Sequence, residues 1–285
     1  MKGQAMAKVL QEFMQQHRLV IETELERRLP RGGKPQLKAL DDAVEHALFT
    51  GGKRMRPVLC LASAAVCGFA TAKALNVAVA LEFLHSASLI FDDLPCMDCS
   101  LERRGEDTVH AKFGEGVAVL AGLALLNETY ALLSEADCTG SLMKQAVQCI
   151  GTRGMIAGQC LDLKHERVSS LDDLEVPYLK TTALLRLALV AAPLSLGAPS
   201  AAVEALARFG QKLGMAYQLL DDELDQDEAT VAGENLEAVL GKARTWIEEA
   251  KGALVAQFGS GPARDVLCEF AESVWARALQ DVRSR

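Results

Sequence analysis

Apolar side chains recur three or four apart along most of the chain, a spacing that gathers them on one face of an α-helix. Residues 6–29 carry the pattern at Met6, Val9, Leu10, Phe13, Met14, Ile21 and Leu25, and it stops at Pro30-Arg-Gly-Gly-Lys-Pro35. An amphipathic helix followed by a loop is predicted there. A second helix is expected from about 36 to the Thr50-Gly51-Gly52 break, and a third from about Pro57, because proline suits the first helical turn. Further helices are predicted at 57–68, 73–92, 115–135, 141–165, 172–195, 201–226, 235–258 and 263–282, the last two parted by Gly-Ser-Gly-Pro at 259–262. No run has strand character, and neither a linker nor a fixed-period repeat interrupts the series. The expectation is one all-α domain over 1–285. Within it, 1–35 form an N-terminal helix and loop, 36–226 a core that carries the motifs, and 227–285 shortened C-terminal helices.

Composition narrows the partners. Half of the 285 residues are hydrophobic, enough for a sizeable core. A net charge of -8 makes nucleic acid and anionic membranes poor partners for the surface as a whole. An anionic substrate would need a local basic patch or a bridging cation. Gln, Glu and Arg interrupt the first helix every few residues, so it lacks the apolar run of a signal peptide, and 183–198 is broken by Arg186 and Pro193. No membrane span and a cytoplasmic location are expected. The eight cysteines are scattered through apolar segments, as reduced thiols would be, and the Cys96-x-x-Cys99 pair has no second ligand pair at metal spacing.

Two acidic motifs close long apolar helices: Asp92-Asp93-Leu-Pro-Cys-Met-Asp98 and Asp221-Asp222-Glu-Leu-Asp225. Asp221 and Asp225, four apart, share a helix face, where like charges repel and invite a cation. Asp92 and Asp98 are six apart, but Pro95 disfavours helix at Leu94, so the chain should unwind and let Asp98 swing back. Each motif lies at the negative end of a helix dipole, and all-oxygen ligands select a hard ion, Mg2+ where phosphate is the substrate. One such cluster reads equally well as a solvated helix end; two in matching context favour the cation.

Basic residues accompany them: Gly51-Gly-Lys53-Arg54-Met-Arg56-Pro57 and Arg103-Arg104-Gly105. The glycines let backbone approach a phosphate, and Lys53 and Arg56 supply fixed charge, the arginine in bidentate form. His85 stands on an apolar helix, where a lone histidine reads first as a hydrogen-bonded core residue.

The segments GGKRMRP, LEFLHSASLIFDDLPCMDCSLERRG, GMIAGQCLDL, YLKTT and FGQKLGMAYQLLDDELD resemble, in order and spacing, the trans-prenyl diphosphate synthases, and among them the bacterial geranylgeranyl and farnesyl diphosphate synthases. The resemblance runs from about 36 to 226. It implies an isoprenoid-synthase bundle around a central cavity, working as a homodimer on isopentenyl diphosphate and an allylic diphosphate (dimethylallyl, geranyl or farnesyl). It also implies Mg2+ held by Asp92, Asp98 and Asp221, with Asp93, Asp222 and Asp225 in support. Isopentenyl diphosphate would be held by Lys53, Arg56, His85 and Arg104, and the allylic diphosphate by Arg103 and Lys180. Gln218 and the Thr181 carbonyl would lie near the developing cation, and Gln159 and Asp162 would support the metals and the lysine.

Ala87 and Ser88, one turn before Asp92, would line the cavity as a chain-length ruler. Both are small, which implies a C20 product with C15 as the nearest competitor. This chain departs from the pattern at Phe91, at Cys99 and after Asp225, where the loop is shortened and Glu234 stands in place of a lysine. A catalytically weakened subunit that modulates a partner synthase, and a class I terpene cyclase, are the competing readings.

Overall fold

The computed structural model describes residues 2–137, 140–163, 178–224 and 236–283. The helices are α1 (Lys2–Arg28), α2 (Lys38–Phe49), α3 (Met55–Val66), α4 (Leu75–Asp92), α5 (Val109–Phe113), α6 (Glu115–Ala136), α7 (Ser141–Ile150), α8 (Met155–Asp162), α9 (Leu179–Ser195), α10 (Ser200–Leu224), α11 (Leu236–Phe258) and α12 (Pro262–Arg283). The all-helical expectation holds, and most bounds fall within a few residues of the periodicity.

At the centre stands α4, buried on every side from Val77 to Leu84, so its sequence shows no polar stripe. It packs on α3 and α6, while α9 lies against α3, α7, α8 and α10, and α12 closes over α1 and α3. By length and composition, Thr71–Asp92 and Glu115–Ala136 could each cross a bilayer, which the sequence reading did not anticipate. The first is largely covered by its neighbours, as a core helix is. The second leaves Val119, Leu120 and Leu123 exposed.

Close helix approach depends on glycines. On α10, Gly210 and Gly214 face Arg186 and Thr182 of α9, where an added Cβ would come 2.8 Å from the Cα of either residue. On α8, Gly158 meets the backbone nitrogen of Lys180, and a Cβ there would stand only 2.1 Å away. These contacts set α9 tightly between α8 and α10.

Three features depart from the predicted elements. The helix expected at 141–165 is two helices, interrupted at 151–154. There the chain folds back on the end of α7, so a Cβ on Gly154 would strike the Cys149 carbonyl oxygen at 1.9 Å. A short antiparallel hairpin pairs Glu102–Arg103 with Glu106–Asp107. Its turn residues Arg104 and Gly105 have φ of 60° and 84°, the left-handed pair that a two-residue hairpin requires. The short helix α5 follows it. Expectations for 172–177, 225–235 and Cys138 fall outside the described residues. The described cysteines are all free thiols; Cys60, Cys149 and Cys268 are buried, whereas Cys96, Cys99 and Cys160 are exposed.

Candidate active site

Asp92 is the last residue of α4, and the chain beyond it does fold back. The Asp98 N–H donates to the Asp92 carbonyl (2.9 Å), Ser100 N–H to the Asp93 carbonyl (3.2 Å), and Met97 and Cys99 N–H to the Leu94 carbonyl (2.9 and 3.1 Å). Pro95 brings no N–H to the turn. Asp98 thus comes near enough for its charge to act on Asp92. Burial first, then Asp98 and Asp93, push the Asp92 carboxyl up to about 6, against the opposing pull of Lys180 and Arg103.

Lys180, at the start of α9, reaches this end of α4. Its Nζ lies 2.7 Å from Asp162 Oδ2 and 3.9 Å from Asp92 Oδ2. Burial pulls the lysine pKa down, but Asp92, Asp162 and Asp98 outweigh it and hold the ammonium above its usual range. The next residue, Thr181, donates its hydroxyl to Gln218 Oε1 over 2.7 Å. Gln218 precedes Asp221 by one turn of α10. The first turn of α9 therefore connects the helix that carries one acidic motif to the helix that carries the other.

Asp93 and Arg103 go to each other. The buried Asp93 carboxylate accepts from Arg103 Nε (2.9 and 3.0 Å) and Nη2 (2.6 Å). The pairing raises the guanidinium pKa, with burial opposing. This pair anchors the hairpin to α4. The side chain of Asp222, and all of Asp225 and Glu234, lie outside the described residues.

The basic residues gather one to two turns back along α4. His85 is held neutral well below its ordinary pKa by burial and by Arg56, Arg104, Arg103 and Arg54. Arg56 carries a buried Nε with no hydrogen-bond partner, and burial lowers its pKa against the pull of Glu82. Arg104 donates to the Gly51 carbonyl at 3.0 Å. Its Nη1 would stand 2.9 Å from a Cβ on Gly52, whose φ of 127° likewise favours glycine. Lys53 is exposed beside them.

The arginine that braces this loop was not singled out from sequence. Arg54, with φ of 52°, is buried and donates to Glu22 (3.0 and 3.2 Å), Glu82 (3.0 Å) and the Leu48 carbonyl (2.6 Å). Arg277 of α12 was missed too. It hydrogen-bonds Tyr217, whose phenol is pushed up by burial and by Asp221, with Arg277 and Arg56 opposing. Arg54 lies in the GGKRMRP segment and Arg277 in no motif, but both acquire their partners only through packing.

Beneath Asp92, Ala87 is buried, and the half-buried Ser88 donates to the His85 carbonyl at 2.8 Å. Phe91 turns onto α6 at Gly122, where a Cβ would lie 2.6 Å from its ring. Gln159 has a buried Oε1 without a partner, and its Nε2 stands 4.0 Å from Met97 Sδ in the acidic loop.

The donor chemistry fits a hard cation. Around Asp92 and Asp98 the available ligands are oxygens, and the orphaned Gln159 Oε1 is an acceptor that water on such an ion would satisfy. Among the described residues no three His, Cys, Asp or Glu side chains are grouped closely enough to form a metal centre. One pair therefore comes from the first motif, while most of the second motif's side chains lie outside the described residues. The orphaned Arg56 Nε is, in the same way, a donor without an acceptor, as an anion site provides.

The chain matches the sequence model of the polyprenyl synthetase family over residues 37–250. It is 40% identical over 209 residues to geranylgeranyl pyrophosphate synthase 4 of Arabidopsis thaliana, covering 70% of this chain and 55% of that protein. Geranylgeranyl diphosphate synthase of Cyanophora paradoxa is 36% identical over 222 residues, 75% of this chain and 73% of its own length. The chain thus spans little more than half of the plant relative. A solved FPP/GFPP synthase from Zymomonas mobilis superposes with a TM-score of 0.84 at 30% identity, covering 94% of this chain and 99% of that one. Its fold is therefore the isoprenoid-synthase bundle, and with the family match extending over most of its length the chain belongs to the polyprenyl synthetase family.

Proposed function

We propose that the chain is a short-chain trans-prenyl diphosphate synthase that condenses isopentenyl diphosphate with an allylic diphosphate. One observation carries the reading: the first turn of α9 joins Lys180 to Asp92 and Thr181 to Gln218, one turn from Asp221. Carboxylates at two helix ends are thereby brought to a shared element, with the Arg56, His85 and Arg104 cluster behind the first.

In this reading Asp92, Asp98 and Asp221 hold Mg2+, with Asp222 and Asp225 in support. The ion supplies charge to neutralise diphosphate as it leaves. Lys180 adds a fixed ammonium beside the same carboxylate and favours the charge that develops as the allylic C–O bond breaks. Arg56, Arg104 and Lys53 hold the second diphosphate, and neutral His85 can donate to it without adding charge. The Thr181 carbonyl and Gln218 side chain offer oxygen dipoles to the cationic carbon. The isopentenyl double bond attacks that carbon, and the resulting cation loses a proton to the departed diphosphate. No side chain forms a covalent bond to substrate.

We read the product as C20, because Ala87 and Ser88 are small and Phe91 is turned onto Gly122. We read the working unit as a homodimer through α6, whose Val119, Leu120 and Leu123 form an exposed apolar stripe. The compartment in this reading is the cytosol.

The deciding experiment supplies labelled isopentenyl diphosphate, each allylic primer in turn and Mg2+, and analyses the products. Elongated prenyl diphosphates support the reading. A cyclised hydrocarbon, or no turnover without a second protein, would overturn it. Asp92→Ala is expected to lower turnover by more than about a hundredfold with an unchanged circular dichroism spectrum.

A further inference from the structure

Away from the acidic motifs, α9 also lines a pocket that it shares with α7 and α10, of about 270 Å3. At about 30 Å3 per water this is room for roughly nine waters or one small organic molecule. The pocket uses Thr182 and Arg186 of α9 but neither Lys180 nor Thr181.

Its polar groups are underused. Thr182 is 5% exposed, and its hydroxyl has no hydrogen-bond partner. Arg153 and Arg186 both line the pocket, and among the described residues neither forms an ion pair. Gln145 and Gln148, three apart on α7, present amides on the same wall. Among the described residues no carboxylate lines the pocket, although the chain as a whole carries a net charge of -8. Leu187 and Val190 of the same helix, each 2% exposed, add hydrocarbon to the lining.

A buried hydroxyl without a partner and two exposed guanidiniums on the same pocket describe an anion site, and the aliphatic lining describes a short apolar body attached to that anion. We propose that this pocket is a second ligand site for a small organic phosphate or diphosphate, its charged head at Arg153, Arg186 and Thr182 and its short hydrocarbon against Leu187 and Val190. It stands apart from the proposed reaction, and occupancy would bear on the helix that also carries Lys180 and Thr181.

The test titrates the full-length chain with isopentyl diphosphate, a saturated and unreactive probe, by calorimetry with divalent ions chelated. Two binding events are expected. Arg153→Gln with Arg186→Gln should weaken one of them by about a hundredfold, and Lys53→Gln with Arg56→Gln should remove the other. Thr182→Val, nearly isosteric, should weaken the first event by about tenfold and leave the second alone. It keeps the site testable should the double arginine variant misfold. Unchanged binding in the pocket variants would overturn the second site. A single event that is lost only in the pocket variants would support this site while counting against the basic cluster behind Asp92. Inorganic diphosphate binding the pocket as tightly as the isopentyl ester would overturn the hydrocarbon half of the assignment.

Discussion

The Thr181 hydroxyl donates to Gln218 Oε1 over 2.7 Å, one residue after Lys180, whose ammonium stands 3.9 Å from Asp92. Two adjacent residues thus attach α9 to the ends of two different helices. Any disturbance of the first turn of α9 should therefore be felt at both acidic motifs together.

Gly158→Ala tests that coupling directly. The new Cβ would stand 2.1 Å from the Lys180 backbone nitrogen, and backbone cannot swing aside as a side-chain tip can. Overpacking of this kind costs about 1–3 kcal/mol. Thermal unfolding should show the loss, and kcat should fall as well because Lys180 moves with its backbone. Wild-type kcat in a destabilised variant would show that Lys180 need not be held in place.

Arg54→Ala should be among the most damaging single changes outside the site. It leaves Glu82, 4% exposed, as a buried carboxylate that has lost its hydrogen-bonded cation, at about 3–5 kcal/mol. Denaturant unfolding reads the loss. Adding Glu82→Gln to it should restore part of the stability, since the uncompensated charge is then gone; no recovery would mean that Arg54 acts mainly through the Leu48 carbonyl and the loop.

Ala87→Phe probes product length. Ala87 is buried one turn beneath Asp92, and one turn advances about 5.4 Å, close to one isoprene unit. Chromatography of dephosphorylated products should show a shift toward shorter chains than the wild type makes. An unchanged distribution would remove Ala87 from the ruler.

One acid-sensitive contact lies where α11 meets α12. Burial raises the Glu272 pKa, but hydrogen bonds from Arg244 and Lys251 outweigh it and hold the carboxyl below its ordinary 4.5. A depressed folded-state pKa contributes stability that is complete above the unfolded value and is lost as pH falls through the folded one. As pH falls through and below 4.5 the wild type should therefore lose more stability than Glu272→Gln does, as measured by urea midpoints. Parallel pH profiles would contradict the assignment.

Local information in the chain determined a good deal: the helical periods, the breaks at glycine and proline, and the return of Asp98 toward Asp92 once Pro95 had ended the helix. All of these depend on neighbours a few positions away. Only the tertiary structure decided that Asp93 and Arg103 pair with each other, that Arg54 braces the loop while Arg56 keeps an orphaned donor, and that 151–154 break the helix predicted there. The spacing of Lys180 and Thr181 likewise said nothing of Asp162 or Gln218, because those contacts arise where glycines on α8 and α10 let three helices approach. A charged side chain's partner is chosen by which surfaces packing brings within reach and how much water it removes, and neither quantity is written in the local pattern.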